Sequence, residues 1–331
     1  MLSKDTQKFV LQKTNASQIT SVECLQELWS GYGKILRVSL DSKECESIIL
    51  KLVSIPEKTN HPRGWDSELS NLRKIKSYQV ELCFYLNFGK QLSENNFSYV
   101  PKLIGSTSNN KNTILILEDL NISSFTEKKE CINLPEIKLC LTWLAHFHAV
   151  FLGQDLNGLW EVGTYWHLDT RPDEFKAMSE SDLKTYAKSI DKKLNNCRYK
   201  TLLHGDAKLD NFCFKKDSKG VAAVDFQYAG SGCGMKDVIY FLGSFLSENE
   251  LFKKETELLT FYFTELQKFT QKYHPKLDFN SLQEEWNYMY PLAWADFYRF
   301  LQGWRPGHWK LNDYGKKMVS KAIKDILISR K

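Results

Sequence analysis

No stretch of this chain stays apolar for the roughly eighteen residues that a membrane-spanning helix needs. The opening residues, MLSKDTQKFVLQ, also lack the apolar run of a secretory signal. Neither a bilayer span nor secretion is expected. Eight cysteines stand at 24, 45, 83, 131, 140, 197, 213 and 233, and none pair as C-x-x-C, which removes zinc-ribbon and dithiol redox readings. Scattered cysteines with no signal fit reduced thiols in a cytoplasmic protein. The N-x-[ST] triplets at Asn15, Asn96 and Asn121 then carry no expectation of glycans. An excess of either charge is missing too. Lys plus Arg is 45 and Asp plus Glu is 40, and a net +5 is too small and scattered for a nucleic-acid partner. Glycine (17) and proline (8) are sparse for 331 residues, which favours long helices over many tight turns.

What is present is enough apolar residue, 42%, to bury a sizeable core in one large or two intimate domains. Residues 201–228, TLLHGDAKLDNFCFKKDSKGVAAVDFQY, carry the densest chemistry. An apolar lead-in ends at His204-Gly205-Asp206, and Asn211 follows. Phe212-Cys213-Phe214, a polar turn and Val221–Val224 then read as strand, turn, strand, with Asp225 at the exit. A hairpin brings its ends together, so Asp206, Asn211 and Asp225 are expected on one rim. Oxygen-bearing Asp and Asn side chains suit a hard cation such as Mg²⁺. A carboxylate free of metal can take a proton from an attacking hydroxyl.

Order and gaps match the kinase template H-x-D-x-x-x-x-N followed by D-F-x. His204-Gly205-Asp206, Asn211 and Asp225-Phe226-Gln227 together resemble the aminoglycoside phosphotransferase and choline kinase superfamily, especially its ecdysteroid-kinase-like branch. A three-letter fragment such as HGD is weak, and the compound pattern is strong. Gly205, Gln227 and the missing A-P-E segment argue against a protein kinase. The resemblance implies an α+β, two-lobed protein-kinase-like fold, with an antiparallel sheet and one helix in a small lobe (1–120) and a large, mainly helical lobe (121–331). Periodicity alone gives only a large α+β protein. The resemblance also implies ATP and Mg²⁺ as cofactors, Asp206 as catalytic base, and Asn211 and Asp225 as metal ligands.

Upstream residues fit the same scheme. Trp29-Ser30-Gly31-Tyr32-Gly33-Lys34 opens an alternating strand. Gly31 and Gly33 either let backbone N–H groups approach nucleotide phosphates or form an ordinary hairpin turn. Lys51 lies inside the apolar run Ser47–Val53, either touching phosphates or snorkelling from a strand edge. Residues 66–90 carry a helical pattern through Leu69, Leu72, Ile75 or Lys76, Gln79 or Val80, and Cys83 or Phe84, with Asp66 as a cap and Gly89 as a stop. Glu81 is the expected partner of Lys51, with Glu68 competing. Val100–Gly105 and Asn112–Leu117 read as strands, and the resemblance implies that Glu118, Asp119 and Leu120 bind the adenine edge through main chain. Residues 1–28 fit helix or strand equally well.

Downstream, residues 135–152 form an apolar helix in which His148 reads as a satisfied core histidine. Asp237 is placed to cap the helix that begins near Val238 and to hold the catalytic-loop backbone. A Lys-rich segment, Ser179–Lys193, reads as a solvated helix. Everything past 250 reads as helical, with a break or kink at Pro291. Glu284, Glu285, Trp294, Asp296 and Trp304 are weak candidates for an acceptor wall. The expected reaction is transfer of the γ-phosphate of ATP to a hydroxyl of a small acceptor. Steroid alcohol, choline-like amine, aminoglycoside and sugar all fit it. The rival reading is a catalytically idle nucleotide-binding module.

Overall fold

A computed structural model describes residues 2–28, 31–55, 68–92, 97–109 and 111–328. Trp29, Ser30 and the Asp66 cap lie outside the described residues. The chain divides into two compact units, one of residues 1–127 and 213–224, the other of 128–212 and 225–331.

In the first unit, the ambiguous N-terminus resolves into helix α1 (Lys4–Thr14) and strand β1 (Ile19–Glu27). Ser3 caps α1 through Thr6 N–H. Strands β2 (Gly33–Leu40) and β3 (Ser47–Ser54) follow, then helix α2 (Glu68–Asn87), β4 (Leu103–Ser108) and β5 (Asn112–Glu118). The five strands pair antiparallel in the order β1-β2-β3-β5-β4. Side chains alternate across a strand, so parity decides which face each residue serves. Even-numbered Leu36, Val38, Leu40, Ile48, Leu50 and Ile116 pack with Leu2 and Val10 on the α1 side. Odd-numbered Ile35 and Val53 pack with Tyr32, Ile75 and Tyr78 on the α2 side. Lys51 is odd and therefore faces α2.

The buried stripe of α2 keeps the later part of the expected face: Val80 and Phe84 are buried and Ile75 packs on the core. Leu69 and Leu72 are instead 42% and 56% exposed, and Ser77, Tyr78, Glu81 and Tyr85 are buried in addition. An ion pair, described below, holds Glu81 inward.

The second unit begins with α3 (Leu134–Val150), started by a reciprocal Asn133–Glu136 capping box with Pro135 in its first turn. Next come α4 (Pro172–Ala177), α5 (Asp182–Asn195) and β6 (Thr201–Leu203). Helix α5 is not solvated all round: Leu183, Ala187, Ile190 and Leu194 bury one face. The chain then forms a hairpin of β7 (Phe212–Phe214) and β8 (Val221–Ala223), whose residues 213–224 belong to the first unit. There Cys213 and Ala222 pack with Leu120 and Phe125. Back in the second unit, β9 (Gly230–Gly232) pairs antiparallel with β6. Helices α6 (Met235–Phe245), α7 (Glu248–Tyr273), α8 (Phe279–Trp304) and α9 (Asp313–Ile328) complete it. Of the break or kink expected at Pro291, the break does not occur, since helix α8 continues through it. Residues on both sides of Pro291, from Met289 to Leu301, are buried, and that packing outweighs one lost backbone hydrogen bond. Among the described residues no helix is long and apolar enough to cross a membrane.

Candidate active site

In the first unit, Lys51 and Glu81 form a buried ion pair, Nζ to Oε2 2.6 Å, with the two residues 4% and 2% exposed. The ammonium also lies 5.7 Å from the Tyr78 ring centroid. Lys51 is no snorkelling edge lysine, because β3 sits between β2 and β5. At the start of β2, Gly31 and Gly33 both have positive φ, +75° and +136°. A Cβ on Gly33 would run into the carbonyl oxygen of Leu52, so only glycine fits there. At the end of β5, the Glu118 carboxylate accepts from Tyr99 Oη at 2.6 Å, Lys102 N–H at 3.0 Å and the Ser123 hydroxyl. Asp119 accepts from Arg37 Nε and Ser47 Oγ, each at 2.7 Å. The Leu120 carbonyl accepts from Phe125 N–H at 3.0 Å. These bonds brace the segment at the end of β5.

In the second unit, the β6–β9 pair delivers the loop from His204 to Lys208. Gly205 has φ +78°, and a Cβ there would collide with the Tyr228 carbonyl. Asp237 does not cap α6, whose N-cap is Gly234 with no side-chain bond. Its carboxylate turns to the loop and accepts His204 N–H at 2.6 Å and Gly205 N–H at 2.9 Å. His148 joins the same carboxylate at 3.2 Å through Nε2 and meets Tyr262 Oη at 2.7 Å through Nδ1. It is a satisfied core histidine.

This scaffold presents Asp206. Asn211 donates Nδ2–H to its carbonyl at 2.7 Å and to Oδ2 at 3.0 Å. Lys208 Nζ stands 3.7 Å from the same Oδ2, and the Tyr240 side chain lies close enough to influence the carboxylate. Burial pushes the Asp206 carboxyl up to about 6; Asp225 adds to the rise, while Lys208, Asn211 and Tyr240 oppose it. The Lys208 ammonium is in turn raised, chiefly by Asp206. Asp225 itself adopts φ +71°, a strained left-handed conformation that Asp tolerates better than most residues.

Asp206, Asn211 and Asp225 are thus brought within mutual influence, as the hairpin pattern suggests. Among the described residues no group of three His, Cys, Asp or Glu side chains is arranged to hold a metal. A magnesium ion that shares its shell with substrate phosphates needs fewer protein ligands. Commitment of the Asn211 amide nitrogen to Asp206 turns its carbonyl oxygen away, so one amide oxygen and the Asp225 carboxylate suit that ion.

The weak acceptor-wall candidates have other roles. Glu285 accepts the N–H groups of Arg198 and Tyr199 at 2.7 and 2.9 Å, and Glu284 is exposed. Asp296 pairs with buried Arg299 at 2.8 Å, and Trp294 packs on Tyr314. Trp304 stacks on Phe300. Three residues beside Asp206 were missed in the sequence. Lys208, two positions after Asp206, was readable within the motif. Tyr240 and Lys310 gave no local signal, since helix packing alone brings them in.

The five-stranded antiparallel sheet of the first unit and the mainly helical second unit define a kinase-like fold. The ecdysteroid kinase-like family model matches residues 32–153 and 162–274, and the chain belongs to that family. Solved structures share the fold at low identity. A Ralstonia eutropha protein designated an aminoglycoside phosphotransferase aligns over 100% of this chain and 99% of its own, at 13% identity and TM-score 0.55. Plasmodium vivax ethanolamine kinase aligns over 98% and 89%, at 12% identity and TM-score 0.51. Cryptosporidium parvum choline kinase aligns over 98% and 96%, at 11% identity and TM-score 0.50. No curated protein sequence matches the chain.

Proposed function

We propose that this protein is an ATP-dependent small-molecule kinase that transfers the γ-phosphate to a hydroxyl of a small acceptor. One observation carries the reading. Asp206 is a buried carboxylate on a loop pinned from behind by Asp237, and its carboxyl is raised to about 6. A base poised near neutral pH is ionised at pH 7 and still basic enough to take a hydroxyl proton as transfer proceeds. An idle nucleotide-binding module has no use for that tuning. Membership of the ecdysteroid kinase-like family and neighbours that are choline and ethanolamine kinases support a small acceptor over a protein one.

In this reading Asp206 accepts a hydrogen bond from the acceptor hydroxyl, orients its oxygen and holds the proton at Oδ1 or Oδ2 as the new bond forms. Asn211 fixes the rotamer of Asp206 through its two Nδ2 bonds. Lys208 stabilises the carboxylate and with it the charged form of the base. Lys51, oriented by Glu81, offers its ammonium to nucleotide phosphates, and backbone at Gly31, Gly33, Glu118 and Leu120 positions the remainder of the nucleotide. Asn211 and Asp225 would hold Mg²⁺, which when bound neutralises charge on the phosphates.

A metabolite-pool phosphorylation screen with labelled ATP identifies the acceptor, with Asp206→Ala run in parallel. Phosphotransfer by the wild type and its near-abolition in the variant, with calorimetric Mg²⁺-nucleotide binding intact, is the expected result. Near-wild-type turnover by Asp206→Ala would overturn the reading.

A further inference from the structure

Lys310 stands in the segment between α8 and α9. Its Nζ lies 5.4 Å from the Tyr240 ring centroid, 5.6 Å from Phe297 and 5.4 Å from Trp309. Tyr240 and Phe297 are buried and meet edge to face at 5.2 Å. Among the described residues no carboxylate lies within ion-pair distance of this ammonium, so the rings are its main anchors. Three aromatic rings around one cation is the arrangement that recognises quaternary ammonium ligands. Here the chain supplies the cation itself. The Tyr240 side chain also lies within electrostatic reach of Asp206, which places the aromatic box near the candidate base.

We propose that Lys310 is a specificity-determining residue whose ammonium occupies this aromatic box beside Asp206 and closes it to acceptors that carry a positive charge. The proposal rests on the kinase reading for the word acceptor and on the ring geometry alone for the occupied box. A cationic acceptor entering here would have to displace a tethered ammonium while facing a second one on Lys208, which stands 3.7 Å from Asp206. Burial pushes the Lys310 ammonium down to about 8 and Lys208 adds to this, whereas Asp206 and Asp210 pull it back up. Acceptors without a positive charge meet no such competition.

Tetramethylammonium tests the box without reference to turnover. Calorimetric titration of the full chain is expected to give no saturable heat in the millimolar range for the wild type. Lys310→Ala and Lys310→Ser are expected to bind the ion at least about tenfold more tightly, as an emptied aromatic cage should. Equal binding by wild type and variants, or no gain in variants that melt like wild type, overturns the proposal. A wild-type measurement serves even if the variants misfold. Ring currents should shift the Lys310 ε-CH₂ protons upfield, and an unshifted resonance also overturns it. Should the labelled-ATP screen yield no acceptor at all, the kinase reading fails, while these titrations still decide what Lys310 does.

Discussion

The Asp237 carboxylate accepts the backbone N–H of His204 at 2.6 Å, and through this bond α6 holds the loop that carries Asp206. Its other oxygen takes Gly205 N–H, and His148 approaches the first from behind. Asp237→Ala leaves two buried N–H groups and an imidazole without their acceptor. Loss of about 3–5 kcal/mol in denaturant melts is expected. Asp237→Asn keeps one acceptor oxygen and should lose less. A wild-type melt for Asp237→Ala would show that the staple bears no load.

Removing one member of the Lys51–Glu81 pair strands a buried charge. Lys51→Met and Glu81→Leu are each expected to destabilise by about 3–5 kcal/mol, and the double variant by much less than their sum. Nucleotide affinity behaves differently. Calorimetry should show it weakened in every variant lacking Lys51, including a double variant with restored stability. Undiminished nucleotide binding by Lys51→Met would exclude a phosphate role for that lysine.

Asp206 sets a pH dependence with a definite sign. Its carboxyl is raised by burial to about 6, above the ordinary 3.8, so the proton is held more tightly in the fold. The base is ionised only above that value, and kcat/KM should fall about tenfold per pH unit below about 6. Stability moves the opposite way. A raised acid destabilises the fold progressively as pH climbs from about 4 through 6, and that penalty is absent below its ordinary pKa. Asp206→Asn should therefore melt no lower than wild type at pH 8 while losing about 10²–10⁴-fold in turnover. A rate profile flat from pH 7 to 5 contradicts the assignment.

Gly205 has φ +78° and no room for a Cβ against the Tyr228 carbonyl. Gly205→Ala should lower stability by more than about 1 kcal/mol and reduce turnover further by shifting the Asp206 loop. The counterpart control is Gly153→Ala, with φ +71° but open space around it. There only the backbone strain is expected, and a clearly larger stability loss at Gly153 than at Gly205 would refute the steric account.

Local chemistry was legible along the chain wherever neighbours in sequence are neighbours in space. His204 to Asn211 is one such stretch, and its pattern carried the resemblance that implies a base and a metal ligand there. Helix α2 shows where such reading is partial. Val80 and Phe84 of its apolar face are buried as expected, but Leu69 and Leu72 stay at the surface while Glu81 turns inward to Lys51. A buried Lys51 left without its partner would cost several kcal/mol, and periodicity does not register that. Pro291 taught the reverse lesson: a residue that ends helices in isolation was overruled by packing on both sides.

The amino-acid sequence by itself determined the ecdysteroid kinase-like motif, the identity and order of Asp206, Asn211, Asp225, Lys51 and Glu81, and the helix-rich character of the C-terminal part. Those depend on short spacings and on residue type. Tertiary structure alone decided how basic Asp206 is, because burial and the approach of Lys208, Tyr240 and Asp225 set its proton affinity. It alone also brought Lys310 from beyond α8 to the rings of Tyr240 and Phe297. Proton affinity and charge recognition arise from what surrounds a group in three dimensions, and a linear pattern carries no measure of that.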